Sequence, residues 1–484
     1  MHSKTSLKVL FFIFISFTFF NCSKTEDLPA DIEINDFVWK GMNAYYYWQS
    51  DKPDLADNRF SSQSELNGYL SGFSTPEDLF ETVRFQPGVV DRFSWIVDDY
   101  VALENSFQGI TLNNGMEFNL YLEAGSETNI FGIVRYIIPN SDAATNGVLR
   151  GMVFNAIDGN QLTTTNYGSL LFGANTSYTV NFGDLNGGNP ISNGTSISLT
   201  KTDLQENPVA ISKVFDEGTN KIGYLLYNQF IGNYDDELNA AFASFKSENI
   251  TDLIIDLRYN GGGSIRTATY LGSMVTGQFN GSLYTQEVWN KKVTAATNPS
   301  YFVNNFTDQI NNGIVTENIN SVGLSNVYFI VTEDTASASE LVINALSAYI
   351  DVYLVGTQTV GKQVGSITLY DSDNLQKNGA NLNPNHQYAM QPIVLEIKNA
   401  DGENNPNGYV PDIELPEDFG QISGEVNLGV LGETSDPLLD RTITFITTGA
   451  KSAAKTINLV KKEQITNSKL QRPFSNEMYV EKFK

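Results

Sequence analysis

The chain has 484 residues, enough for two or three domains, and its 41% hydrophobic and 12% aromatic content is that of a folded protein. Its 30 basic and 55 acidic side chains give a net charge of −25, a surface that repels nucleic acid, so no nucleic-acid partner is expected. With one cysteine and two histidines, an internal disulfide, a cysteine-based metal cluster and a His-Glu-x-x-His zinc helix are all excluded, and neither a metal nor a cofactor is expected.

The first 21 residues differ from the rest. His2, Lys4 and Lys8 make a short basic start, and the apolar run from Val9 to Phe20 is too short to span a bilayer. This pattern fits a secretory signal over residues 1–21. The only cysteine, Cys22, follows directly, which resembles a bacterial lipoprotein whose cysteine is lipidated. That resemblance implies a membrane partner through a lipid anchor. Loss of Lys4 and Lys8 with the leader leaves 28 basic and 55 acidic side chains, a charge of −27. Residues 22–29 read as a polar tether.

Residues 30–98 are expected to form a small helical domain. Phe37, Val38, Met42, Tyr45 and Trp48 have helical spacing, and Ser64 to Leu70 and Pro76 to Val83 read as further helices. From Phe107 the pattern turns to short strands, with Phe118, Leu120 and Leu122 alternating, then Phe131 and Ile133. Ile137 to Ile157, followed by Asp158-Gly159, resembles a PDZ domain, although Met152 stands where such domains carry Asp. The resemblance implies a β-rich module over residues 104–203 that binds an extended peptide along a sheet edge. Its candidate carboxylate loop is Ser106, Phe107, Gln108, Gly109 and Ile110. Gly183 to Gly194, rich in Gly and Asn, reads as a loop.

Residues 204–418 alternate strands and helices, predicting parallel pairing through crossovers. Lys221 to Gln229 is a strand, Asp235 to Phe245 a helix, and Asp252 to Leu257 a buried strand ending at Arg258-Tyr259-Asn260-Gly261-Gly262-Gly263. That turn lacks the Gly-Lys-Ser/Thr of a phosphate loop and the Gly-x-Gly-x-x-Gly of a dinucleotide fold. A strand ending at Val331 leads to Thr335-Ala336-Ser337-Ala338-Ser339-Glu340 and a helix carrying Leu341, Ile343 and Leu346. A serine at a strand-to-helix turn has two readings. It caps the helix, or it is a nucleophile beside free N–H groups that can hold an oxyanion. Glu340 reads as a first-turn acid favoured by the helix dipole. Residues 419–484 are expected to be a helical tail.

Ser337-Ala338-Ser339-Glu340, with Gly361-Lys362 25 residues after Ser337, resembles the carboxyl-terminal processing peptidases, or tail-specific proteases. Asp256-Leu257-Arg258, the glycine turn, Asp91-Arg92-Phe93-Ser94 and the Gly408 to Asp412 segment resemble the same family. The resemblance covers roughly residues 30 to 447, by ordinary domain sizes, and implies a mixed α/β, multidomain fold with helical, PDZ-like and crossover protease parts. It implies that Ser337 is the nucleophile, Lys362 the general base, and Gly262 and Ala338 the oxyanion hole. The family often has glutamine four residues after the lysine, to orient it; here that position is Ser366. The implied function is a serine endopeptidase with a Ser–Lys dyad. It would cut protein substrates recognised by their C-terminal tails, in the bacterial envelope, anchored in the outer membrane. The alternative is a catalytically silent, peptide-binding envelope lipoprotein. His386, the one histidine after the leader, has no triad frame around it.

Overall fold

The computed structural model describes residues 29–422, 424–451, 462–472 and 475–481. The leader and Cys22 lie outside them.

The N-terminal part is helical, as its pattern predicts. Glu33–Tyr45 buries Phe37, Val38 and Met42. Ser62 caps Gln63–Leu70, and Thr75 caps Pro76–Val83, which has proline in its first turn. The apolar faces do not form a core of their own. Phe37, Met42, Leu70 and Phe80 belong to one cluster with Leu225, Leu257, Leu346 and Met390 of the crossover α/β part. Trp95–Val97 pairs with Ala389–Gln391, so the segment after the helices is stitched into that part.

The β-rich module has its own core, including Phe118, Leu120, Phe154, Val180 and Leu199. Its sheet runs in the order Gln464–Asn467, Met116–Leu122, Ile130–Ile137, Val153–Ile157, Ser177–Asn186, Asn189–Thr200. Ser141 caps the short helix Asp142–Thr145. Asp158 and Gly159 have φ of 52° and 75°, which suits the two-residue hairpin turn into Asn160–Gln161.

Two expectations are corrected here. Gly183 to Gly194 is not a loop but part of a long hairpin turning at Gly187 and Gly188 (φ 59° and 94°). Its second strand is largely solvent-exposed, so no apolar alternation marks it. The Ser106 to Ile110 segment lies outside this sheet: it ends the helix Tyr100–Phe107 and opens the strand Ile110–Asn113, which pairs with Thr202–Gln205.

The crossover α/β part is built on a six-stranded sheet. Asn220–Tyr227, Asp252–Asp256, Asn326–Val331, Asp351–Gly356 and Ile413–Glu414 are parallel in that order, with Val209–Glu217 antiparallel at one edge. Helices Asp235–Glu248, Ile265–Thr276 and Ala338–Ser347 lie within its connections. Both faces are covered, which is why Asp252–Asp256 is buried throughout. A second six-stranded sheet runs Gly263–Ser264, Met478–Tyr479, Val364–Ser366, Ile393–Asn399, Leu283–Trp289, Val303–Asn305. Among its described residues the C-terminal region is helical only over Pro437–Thr448, capped by Asp436. Val426–Asn427 pairs with Asp418–Phe419, and Gln464–Asn467 and Met478–Tyr479 are each an added strand in another part's sheet. These strands are too short to show a period, so the helical expectation fails there.

Candidate active site

The turn carrying Ser337 is pinned to the glycine turn. Thr335 donates its hydroxyl to the Leu257 carbonyl at 2.9 Å, Ala336 N–H bonds the Asn260 carbonyl at 3.2 Å, and Ser339 Oγ donates to that carbonyl at 3.0 Å. Ser337 itself sits at φ 65°, ψ −117°, a conformation that costs a non-glycine residue about 1–3 kcal/mol. It precedes the first turn of Ala338–Ser347, where it and Glu340 have the arrangement of a capping box, and its buried Oγ makes no hydrogen bond of ordinary geometry.

Glu340 joins this turn to the lysine. Its Oε2 accepts the N–H of Ser337 at 2.9 Å and of Lys362 at 2.8 Å. Its Oε1 accepts the Gly361 N–H at 2.7 Å and the Thr359 hydroxyl at 2.5 Å. Burial pushes this carboxyl above its ordinary value, and the four donors pull against burial. Gly361 must be glycine: φ is 82°, and a Cβ there would lie 2.3 Å from the Pro406 carbonyl oxygen.

The Lys362 side chain is fully buried, with Nζ 4.9 Å from the Phe93 ring centre. Burial holds its amine below the ordinary lysine value, and the Glu477 carboxylate, 3.4 Å away, works in the opposite sense. Nζ donates to the Asn476 carbonyl at 2.5 Å. Ser366 does not meet the amine directly. Its hydroxyl donates to Glu477 Oε2 at 2.8 Å, the oxygen that faces Lys362.

Gly262 is packed against the turn carrying Ser337: a Cβ there would lie 2.6 Å from Ser337 Cβ and 2.9 Å from Ala338 N. Its own N–H, however, donates to Asn260 Oδ1 at 2.9 Å. The neighbouring Gly263 N–H meets a peptide carbonyl instead, that of Glu477 at 2.5 Å. The expected peptide loop also faces the C-terminal segment, with the Phe107 ring 4.3 Å from that of Tyr479. His386 stands apart from this cluster, bonded through Nε2 to Asp371 at 3.0 Å.

The motifs do not reveal the part that four residues play in this site: Glu340, Phe93, Trp95, whose Nε1 donates to Glu477 at 2.6 Å, and Glu477. Glu340 lies three residues after Ser337, a capping-box spacing that marks a bond to the Ser337 N–H but not to Lys362. Phe93 and Trp95 sit in or beside the Asp-Arg-Phe-Ser segment. Glu477 carries no local signal.

A family model for peptidase family S41 matches residues 221–414, and one for the peptidase S41 N-terminal domain matches residues 33–95. Together they span more than half of the chain. The chain belongs to peptidase family S41. A CtpA-like serine protease of Staphylococcus epidermidis is 25% identical over 188 residues, which are 37% of this chain and 35% of the relative. The match thus spans about a third of that relative's length. A crystal structure assigned to the S41 proteases, from Bacteroides fragilis, superposes with a TM-score of 0.63 at 22% identity, over 86% of this chain and 97% of that one. The two proteins share a fold.

Ser337, Lys362 and Glu340 all lie inside the S41-matched segment, whereas the β-rich module and the C-terminal strands lie outside both matches. The Asp256-Leu257-Arg258 motif of this S41 chain is structural. Arg258, fully buried, pairs with Asp256 at 2.6 Å, Asp436 at 2.8 Å and Glu417 at 3.1 Å. Arg150 from the β-rich module bonds Glu417 at 2.7 Å and the Tyr259 hydroxyl at 2.6 Å. The base of the glycine turn is therefore tied to the module that precedes it.

Proposed function

We propose that the chain is a serine endopeptidase in which Ser337 is the nucleophile and Lys362 the general base. The observation that carries this reading is the shared Glu340 oxygen, which ties both backbones together while the Ser337 hydroxyl stays buried and unpartnered. Burial favours the neutral amine of Lys362. That amine takes the Ser337 proton as Oγ attacks the peptide carbonyl, and returns it to the leaving amine. The developing oxyanion is held by the Ala338 N–H and by the glycine turn packed against it, whose Gly262 and Gly263 N–H groups are here bonded to Asn260 Oδ1 and the Glu477 carbonyl and must first be released. Substrates are proteins presented by their C-terminal tails as an added strand on the β-rich module. We place the enzyme in the bacterial envelope, anchored by lipid on Cys22 in the outer membrane.

One observation favours the silent, peptide-binding alternative: in this state Lys362 bonds a C-terminal carbonyl and faces a carboxylate. The two readings separate by prolonged incubation with a fluorophosphonate probe and peptide mapping. An adduct on Ser337, lost in Ser337→Ala, is the expected result. An unmodified Ser337 in folded protein overturns the peptidase reading.

A further inference from the structure

The C-terminal strands follow the path a substrate would take. Gln464–Asn467 pairs antiparallel with Met116–Leu122, covering that edge of the β-rich sheet. Ser468 continues the pairing, exchanging bonds with the Phe118 backbone at 2.9 and 3.0 Å. Ser468 and Arg472 each reach the buried Glu117 carboxylate at 2.5 Å. Lys469 donates to the carbonyls of Asn228 and Tyr259 at 3.2 and 3.1 Å.

Residues 475–481 then cross the catalytic cleft. Met478–Tyr479 lies parallel between Gly263–Ser264 and Val364–Ser366, the strands that lead from the glycine turn and from Lys362. Among the described residues, Gly263–Ser264 pairs with this added strand on one side and is bridged by Phe230 on the other. The Asn476 carbonyl takes the Lys362 amine, and the Glu477 carbonyl takes the Gly263 N–H. The Glu477 side chain is bonded by Trp95 Nε1 at 2.6 Å and Ser366 Oγ at 2.8 Å. Met478 is fully buried, the Tyr479 ring lies 4.3 Å from that of Phe107, tilted against it, and Glu481 pairs with Arg266 at 3.1 Å.

We propose that residues 464–472 and 475–481 are a resident pseudosubstrate, holding both the sheet edge and the catalytic cleft until an external polypeptide displaces them. The inference rests on the peptidase reading for its catalytic consequence, but not for the binding itself. The segment acts in two ways. It fills the strand-wide gap next to Ser337, and its Glu477 carboxylate stabilises the charged form of Lys362, opposing the effect of burial. It also specifies the ligand: an extended segment with an acidic residue at the lysine, then a long apolar and an aromatic residue. Because one segment spans both sites, a substrate tail that takes the Met116–Leu122 edge releases Gln464–Asn467 and weakens the hold on the cleft. Coupling of this kind is reciprocal.

The test uses the full chain with Met478→Asp and Tyr479→Ser. A fluorescein-labelled peptide of residues 475–481 is titrated into this variant and into the unaltered tail, both carrying Ser337→Ala. If the tail closes the cleft for nine-tenths of the molecules, freeing it tightens peptide binding by about tenfold. Equal binding in both backgrounds, or binding in neither, overturns the proposal. Should the double variant melt early, Glu477→Gln carries the same comparison, with tightening of about threefold expected from a smaller shift of the same equilibrium; unchanged binding then overturns it. With Ser337 intact, hydrolysis of unfolded casein rises in step with the gain in binding. Tightened binding without hydrolysis leaves the pseudosubstrate in place and removes the peptidase reading instead.

Discussion

Glu340→Gln tests the clamp that joins Ser337 to Lys362. The carboxylate accepts two hydrogen bonds on each oxygen, all from buried donors. Glutamine keeps the shape but replaces one oxygen with an NH₂ group, which cannot accept. One orientation orphans the N–H groups of Ser337 and Lys362; the other orphans the Gly361 N–H, while the Thr359 hydroxyl turns to accept from the NH₂. Each unsatisfied buried donor costs about 1–3 kcal/mol, so the variant loses at least about 1–3 kcal/mol unless the clamp opens. Opening it lets Ser337 relax from φ 65° and separates the Ser337 and Lys362 backbones, a displacement of the kind that costs about 10²-fold in rate per ångström. Urea denaturation followed by fluorescence measures the first effect, and casein hydrolysis at fixed substrate measures the second. Turnover should fall by about 10²-fold or more on that scale even where the protein is fully folded. A variant destabilised by less than about 1 kcal/mol, the net worth of one ordinary hydrogen bond, with turnover retained, refutes the clamp.

The base makes a second prediction. Lys362→Arg keeps the positive charge but cannot deprotonate, so it should be as inactive as Ser337→Ala, while His386→Ala keeps its rate. In the unaltered chain burial favours the neutral amine, so hydrolysis should climb as pH rises through the lowered lysine value and level off above it. A rate that falls over about pH 7 to 9, below the ordinary lysine value of about 10.4, counts against a lysine base. Cys22→Ala should abolish metabolic labelling by a fatty acid and release the protein from membranes; continued labelling of that variant refutes the anchor.

Much of this protein is legible from its order of residues, because the features concerned are local. The capped helices, the Asp158-Gly159 hairpin and the alternating strands and helices of the protease part each depend on residues within a few positions of one another. The catalytic candidates belong here too. Gly262, Ser337 and Gly361 all need backbone angles that a short motif reveals. Local reading fails where composition hides periodicity: the Gly- and Asn-rich hairpin strands look like a loop because so little of them is buried. It fails more deeply where partners are far apart in the chain. Glu340 reads as a first-turn acid, and only the folded chain brings Lys362 to its other side. Ser366 reads as a substitute partner for the lysine, yet it bonds a glutamate 111 residues away. The C-terminal strands have two and four residues, too few for any period. Their place beside Lys362 and on the Met116–Leu122 edge comes from open strand edges elsewhere in the molecule, which tertiary folding alone creates.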